Sequence, residues 1–243
     1  MIAWDGTIQS ARLILFDIDG TLLLSGGAGK RALNRTFQEL FGVPDGFNEI
    51  PVAGRTDRLI FEDALTRAGV VAGQDDHDRF YDRYFELLEE EILSPGPRKG
   101  VMPGVRTLLS QLGGLSDVTT ALLTGNFARA ARIKLKHFDL WDHFVCGAFG
   151  DDALARDDLV PVAVERARQR GVVLQSADRV VVVGDTPLDI QCAKVSGARS
   201  VAVATGIFNE QLLQTQGADI VLKDLTDTEG FIDTLYQFDR VTS

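Results

Sequence analysis

The sequence predicts a doubly wound parallel α/β sheet with a small α-helical domain inserted into it. Three observations lead there. Val180-Val181-Val182-Val183 is apolar without polar alternation, as in a strand covered on both faces. Beyond residue 100 such runs alternate with amphipathic helical segments, the pattern of strand–helix–strand units. A matching run at 12–16 is cut off from its siblings by a stretch, 25–100, in which the apolar residues recur at helical spacing.

In chain order, residues 1–11 are short and mixed, with a turn expected at Asp5-Gly6 before the first core strand. The glycine-rich run Ser25-Gly26-Gly27-Ala28-Gly29 suits a hinge. Leu33, Phe37, Leu40 and Phe41 share one face of a helix that stops at Gly42, and 43–51 is loop. A second helix follows Gly54-Arg55-Thr56-Asp57, carries Leu59, Ile60, Ala64 and Leu65, and ends at Gly69. The third, about 75–93, buries Phe80, Tyr84, Leu87 and Leu88 and shows solvent an acidic face. Ser94-Pro95-Gly96-Pro97 then punctuates the chain. Helices are expected at 105–112, 128–137, 160–170, 188–195 and 228–238, with strands at 118–123, 144–146, 179–183, 199–204 and 220–222. This divides the chain into a core of 1–24 plus 101–243 and a cap of 25–100, with hinges near 24–29 and 94–101.

Composition narrows the function. At 45% hydrophobic residues the 243-residue chain can bury a full core, and a net charge of −10 argues against nucleic acid or an anionic membrane as partner. The two cysteines, Cys146 and Cys192, lack metal-ligand spacing and suit free thiols in a reducing compartment. Three scattered histidines speak against a histidine-rich zinc site. Met1 to Gly6 has none of the basic start of a signal peptide, and no 18 apolar residues run together, so a cytoplasmic location is expected.

The chemistry gathers at strand ends. Strand 12–16 leads into Asp17-Ile18-Asp19-Gly20-Thr21, two carboxylates one residue apart where burial makes charge costly. A divalent cation would let both stay ionised. Strand 118–123 ends in Thr124-Gly125-Asn126 at a helix start, a cradle for an anion. The valine strand ends in Gly184-Asp185-Thr186-Pro187-Leu188-Asp189, adding two carboxylates four residues apart. Arg156, in a polar loop between them, is the best-placed cation, with Lys134, Lys136 and Lys194 as alternatives. In open α/β sheets ligands bind beyond the carboxyl ends of the strands.

The ordered set Asp-x-Asp-Gly-Thr-Leu, Thr-Gly-Asn, a basic residue and Gly-Asp-Thr-x-x-x-Asp resembles the haloacid-dehalogenase-like (HAD) phosphohydrolase superfamily over essentially the whole chain. The insertion is similar to that superfamily's C1-type cap on a Rossmann-like core. Gly-Ala-Gly-Lys-Arg-Ala with the later Gly-Arg-Thr-Asp looks like its phosphoglycolate-phosphatase-like branch. The third motif departs from the pattern, with Arg156-Asp157 in place of Lys-Pro.

The resemblance implies Mg²⁺-dependent hydrolysis of a small phosphorylated metabolite through an aspartyl-phosphate. Asp17 would be the nucleophile and Asp19 the proton shuttle. Mg²⁺ would sit among Asp17, the Asp19 carbonyl and Asp185, with Asp189 orienting Arg156 or a metal-bound water. Thr124, Gly125, Asn126 and Arg156, together with Gly20 and Thr21, would surround the phosphoryl group. Asp19 also separates phosphate-ester chemistry from the superfamily's dehalogenases and phosphonate-cleaving members, which lack it. Arg55 is the leading candidate for contact with the leaving group, ahead of Lys30. The rival expectations are a sugar-phosphate mutase resembling β-phosphoglucomutase and a catalytically idle binding protein; a monomer or homodimer is expected.

Overall fold

The computed structural model describes residues 12–238; the turn expected at Asp5-Gly6 lies outside them. In chain order the elements are β1 (Arg12–Phe16), β2 (Leu23–Leu24), α1 (Ala28–Phe41), α2 (Asp57–Ala68), α3 (Gln74–Glu91), β3 (Gly100–Val101), α4 (Val105–Leu112), β4 (Val118–Leu123) and α5 (Ala128–His137). Then come β5 (Gly147–Ala148), α6 (Leu159–Gln169), β6 (Val180–Gly184), α7 (Pro187–Val195), β7 (Arg199–Val203), α8 (Glu210–Thr215), β8 (Ile220–Leu222) and α9 (Thr228–Gln237).

Six strands form one sheet in the order β5-β4-β1-β6-β7-β8, every neighbouring pair parallel. Every residue of β1 and β6 is buried. Their alternate side chains feed opposite helical layers, as the period-2 pleat requires. Leu13, Leu15, Val180 and Val182 pack with Leu159, Ala163 and Cys192 of α6 and α7. Ile14, Phe16, Val181 and Val183 pack with Leu108, Leu109, Leu135, Phe231 and Leu235 of α4, α5 and α9. This two-sided covering is why the valine run carries no polar alternation, and it makes the expected doubly wound α/β sheet the observed fold.

Helices α1–α3 have an apolar core of their own, rich in aromatic side chains: Phe37, Phe47, Phe61, Phe80, Tyr84 and Phe85. Phe61 and Phe80 stack with ring centroids 3.9 Å apart, and Phe127 and Ala130 join the same cluster from the sheet side. The two connections to this helical block run antiparallel as β2 and β3, pairing Leu23 with Val101 and Leu24 with Gly100.

Four details differ from expectation. Strands of two residues fall below any periodicity signal, so β2 and β3 were not foreseen. Nor was α8, a six-residue polar helix that buries only Leu213 and is capped by Asn209. The strand expected at 144–146 lies at 147–148, where small residues pair with Leu122 and Leu123; the bulkier Phe144 follows a 3-10 turn instead. In the expected hinge, α1 begins at Ala28, so Gly29 is already helical.

Candidate active site

β4, β1 and β6 are adjacent in the sheet, so Thr124, Asp17 and Asp185 emerge side by side at their carboxyl ends. The Asp17 N–H donates to the Val183 carbonyl at 2.9 Å, extending the β1–β6 register one residue past the strand. The chain then turns at Gly20, whose φ of 90° suits glycine and where a Cβ would collide with the Asp185 carboxylate. The Thr21 hydroxyl, expected to face phosphate, donates to Asp185 Oδ1 at 3.3 Å.

Asp17, Asp185 and Asp189 are all buried, with one carboxylate oxygen of each within 4.8 Å of the others. Arg156 enters from a 3-10 turn, Arg156–Asp158, and is buried too. Its Nη2 lies 3.2 Å from Asp17 Oδ1 and also donates to Asp189 Oδ1. The other Asp189 oxygen accepts from the Thr186 N–H (3.0 Å) and hydroxyl (2.7 Å), closing the capping box of α7. Both oxygens of Asp189, expected to orient Arg156 or a metal-bound water, are therefore engaged by protein donors, and one of them holds Arg156. Burial pushes Asp17 up to about 6; Arg156 opposes this, and Asp189 and Asp19 add to it. Burial, then Asp17 and Asp189, raises Asp185 well above the carboxylate range. Three carboxylates share one guanidinium here, leaving an excess of negative charge on a set of oxygen donors. That is the donor chemistry of a hard divalent cation.

Asp19 faces a different partner. Its Oδ2 accepts from Lys134 Nζ at 2.6 Å and from Asn126 Nδ2 at 2.9 Å. Lys134 Nζ also donates to Asn126 Oδ1 at 2.6 Å, and Asn126 Nδ2 to Thr124 Oγ1 at 2.9 Å. In this conformation the Asn126 side chain, expected to hold phosphate, is tied at both ends to its neighbours. Thus Arg156 takes the expected cation position beside Asp17, while the alternative Lys134 serves Asp19. Lys194 reaches the Gln216 carbonyl and Lys136 is exposed.

The helical block closes over these groups. A Cβ at Gly125 would run into the Arg55 carbonyl, and the Asp57 N–H donates to the Gly125 carbonyl at 2.7 Å. The Thr56 hydroxyl donates to Leu154 O at 2.8 Å. Beneath lies a cavity of about 300 Å³ bordered by Asp17, Asp19 and Arg156 below and by Lys30, Arg55 and Tyr84 above. That is the size of a small-molecule site. Arg55 lines it, but its guanidinium is held by Asp63 Oδ2 (2.6 Å) and the Pro51 carbonyl (3.0 Å). Lys30 Nζ donates to the Asn48 carbonyl.

Asp57 and Tyr84 also line the cavity, and sequence reasoning passed over both. Asp57 opens α2, where an acid has an ordinary capping explanation; its Oδ2 accepts the Phe127 N–H at 2.9 Å, and burial pushes its pKa up to about 6. Tyr84 resembles a plain core residue. Lys134 did leave a signal: it interrupts the apolar stripe Ala130, Ala131, Lys134, Leu135 of α5.

Comparison with known proteins agrees with this geometry. A family model described as haloacid dehalogenase-like hydrolase matches residues 14–194. The phosphoglycolate phosphatase of Rhodospirillum rubrum is 28% identical over 225 residues, covering 90% of this chain and 91% of its own. That of Pseudomonas putida is 27% identical over 234 residues, covering 88% and 77% respectively. The crystal structure of a hydrolase from Pseudomonas syringae superposes with a TM-score of 0.67 at 21% identity, covering 93% of this chain and 99% of the other.

Proposed function

The chain belongs to the haloacid dehalogenase-like hydrolase family, and from that premise we propose that it is a Mg²⁺-dependent phosphomonoester hydrolase of the phosphoglycolate-phosphatase-like branch. One observation carries the reading. Two carboxylates a single residue apart are split between different partners, Asp17 beside Arg156 in an acidic cluster and Asp19 beside Lys134 on the cavity wall. Equivalent carboxylates would compete for one role; differently partnered ones suit two.

In the proposed reaction Asp17 Oδ attacks phosphorus, the ester P–O bond breaks, and the leaving oxygen takes a proton from Asp19. The aspartyl-phosphate is then hydrolysed by a water that gives its proton back to Asp19, releasing phosphate. The buried guanidinium of Arg156 offsets negative charge beside Asp17, which matters in a reaction governed by positioning and charge neutralisation. Asp17, Asp185 and the carbonyl oxygen of Asp19 would hold Mg²⁺, which supplies positive charge to the phosphoryl oxygens. Asp189 keeps Arg156 in place. Lys134 and Asn126 bind Oδ2 of Asp19 and leave its other oxygen for proton exchange.

The cavity volume suits a small phosphorylated metabolite, and the relatives' names make 2-phosphoglycolate the first to try. The test is Mg²⁺-dependent release of inorganic phosphate from p-nitrophenyl phosphate and 2-phosphoglycolate. Activity is expected with Mg²⁺, to be lost in chelator, and to fall at least about 10³-fold in Asp17→Asn. Full turnover by that variant would remove Asp17 as nucleophile, and isomerisation of a sugar phosphate without phosphate release would favour a mutase.

A further inference from the structure

The sequence singles out Arg55 for the leaving group, yet its guanidinium is already committed to Asp63 and Pro51. Unspent donors converge elsewhere on the cavity wall. Helix α1 has 14 residues and no side-chain cap. Among the described residues the N–H groups of Gly29 and Lys30, in its first turn, have no acceptor; such orphan donors, at the positive end of a helix dipole, attract anions. Two buried side chains point to the same place. Tyr84 is 1% exposed, lines the cavity, and its hydroxyl enters no hydrogen bond among the described residues. Lys134, 5% exposed, uses two of its three N–H groups, on Asp19 and Asn126. Lys134 Nζ and the Tyr84 hydroxyl lie 3.6 and 3.8 Å from the point that a Cβ on Gly29 would occupy.

Resting on the hydrolase reading above, we propose that this pocket is a leaving-group subsite. The free N–H groups of Gly29 and Lys30, the Tyr84 hydroxyl and the third proton of Lys134 bind a carboxylate carried by the alcohol half of the phosphoester. The chemistry selects a carboxylate for two reasons. The available groups offer protons, and the two oxygens of a carboxylate accept about four hydrogen bonds. Asp19 and Asp57 also border the cavity, so a second phosphate, with about twice the charge, would meet more repulsion. Burial, then Asp57 and Asp19, holds the Tyr84 hydroxyl far above its ordinary pKa and keeps its proton in place to donate.

The test compares kcat/KM for three substrates with leaving groups of similar size: 2-phosphoglycolate, 2-hydroxyethyl phosphate and ethyl phosphate. Wild type is expected to favour the carboxylate. Tyr84→Phe should lower the ratio of phosphoglycolate to ethyl phosphate about tenfold or more, as for a lost hydrogen bond to a charged group. Gly29→Ala should lower the same ratio by filling the pocket. Its Cβ makes only ordinary van der Waals contacts, and alanine favours the helix, so the melting temperature should hold or rise. The subsite is overturned if neither ratio moves, if wild type shows no carboxylate preference, or if 2-hydroxyethyl phosphate loses as much as phosphoglycolate. Failure of wild type to hydrolyse any phosphomonoester would instead overturn the hydrolase reading.

Discussion

Asp17 and Asp19 are chemically identical and separated by one isoleucine, yet they belong to different neighbourhoods. Asp17 is buried with two further carboxylates, and its cation, Arg156, is held in place by Asp189. Asp19 is only half-buried, and its cation comes from α5, inside the helical layer. The first setting concentrates negative charge on oxygen donors that suit a divalent cation. The second is balanced within the protein and keeps an oxygen free beside the cavity. Partner supply, more than residue type, sets what each carboxylate can do.

The sharpest way to break this comparison is to remove each carboxylate in turn. Asp17→Asn should lose activity on every substrate. Asp19→Asn should lower kcat/KM, which reports phosphoryl transfer to Asp17, about 10²- to 10⁴-fold on alkyl phosphates while affecting kcat/KM for 2,4-dinitrophenyl phosphate far less, because that leaving group needs no proton. Equal losses by Asp19→Asn on both substrates would make the two carboxylates one functional unit.

Lys134→Met tests the partner of Asp19. About a tenfold fall on alkyl phosphates, shrinking with better leaving groups, is expected if Lys134 positions Asp19. A fall independent of leaving group, measured with the fold intact by circular dichroism, would assign it a structural role.

The smallest effect concerns Asp57, a carboxylate on the cap side of the cavity. Phe127 N–H and Lys134 favour its charged form, while burial, Asp19 and Asp151 oppose it. Its folded pKa of about 6 lies above the ordinary value, so the protonated fold is favoured. That contribution is complete below about pH 4 and is lost as pH rises through 6. Asp57→Asn should therefore flatten the decline in melting temperature between pH 5 and 7 by a few degrees, corresponding to about 1 kcal/mol. An unchanged slope would show that Asp57 does not titrate in this range.

Much of this arrangement was legible in the sequence because it lies at strand ends. The valine run fixed a strand covered on two faces, and Asp17, Thr124 and Asp185 follow such strands directly. What stayed hidden lies inside helices or depends on pairings. Tyr84 falls on a helical face that a hydrophobic pattern assigns to the core, and Lys134, named from the sequence only as an alternative cation, gave no sign there that it serves Asp19. Asp57 resembles a capping acid, and the engagement of Arg55 by Asp63 requires the turn of α2 that brings residues eight apart together. The two-residue strands β2 and β3 carry no period at all. Sequence periodicity identifies which face of an element is covered, but not which atom meets which across the gap.

The seam between Gly125 and the Arg55–Asp57 segment sets terms for traffic. Main-chain atoms touch there, and the N–H of Asp57 rests on the Gly125 carbonyl. On the proposed reaction, so close a fit would limit the water that reaches a phosphorylated Asp17 from this side of the cavity. Were the helical block to lift for product to leave, substitutions at this border would change the release rate without touching the groups that break the bond.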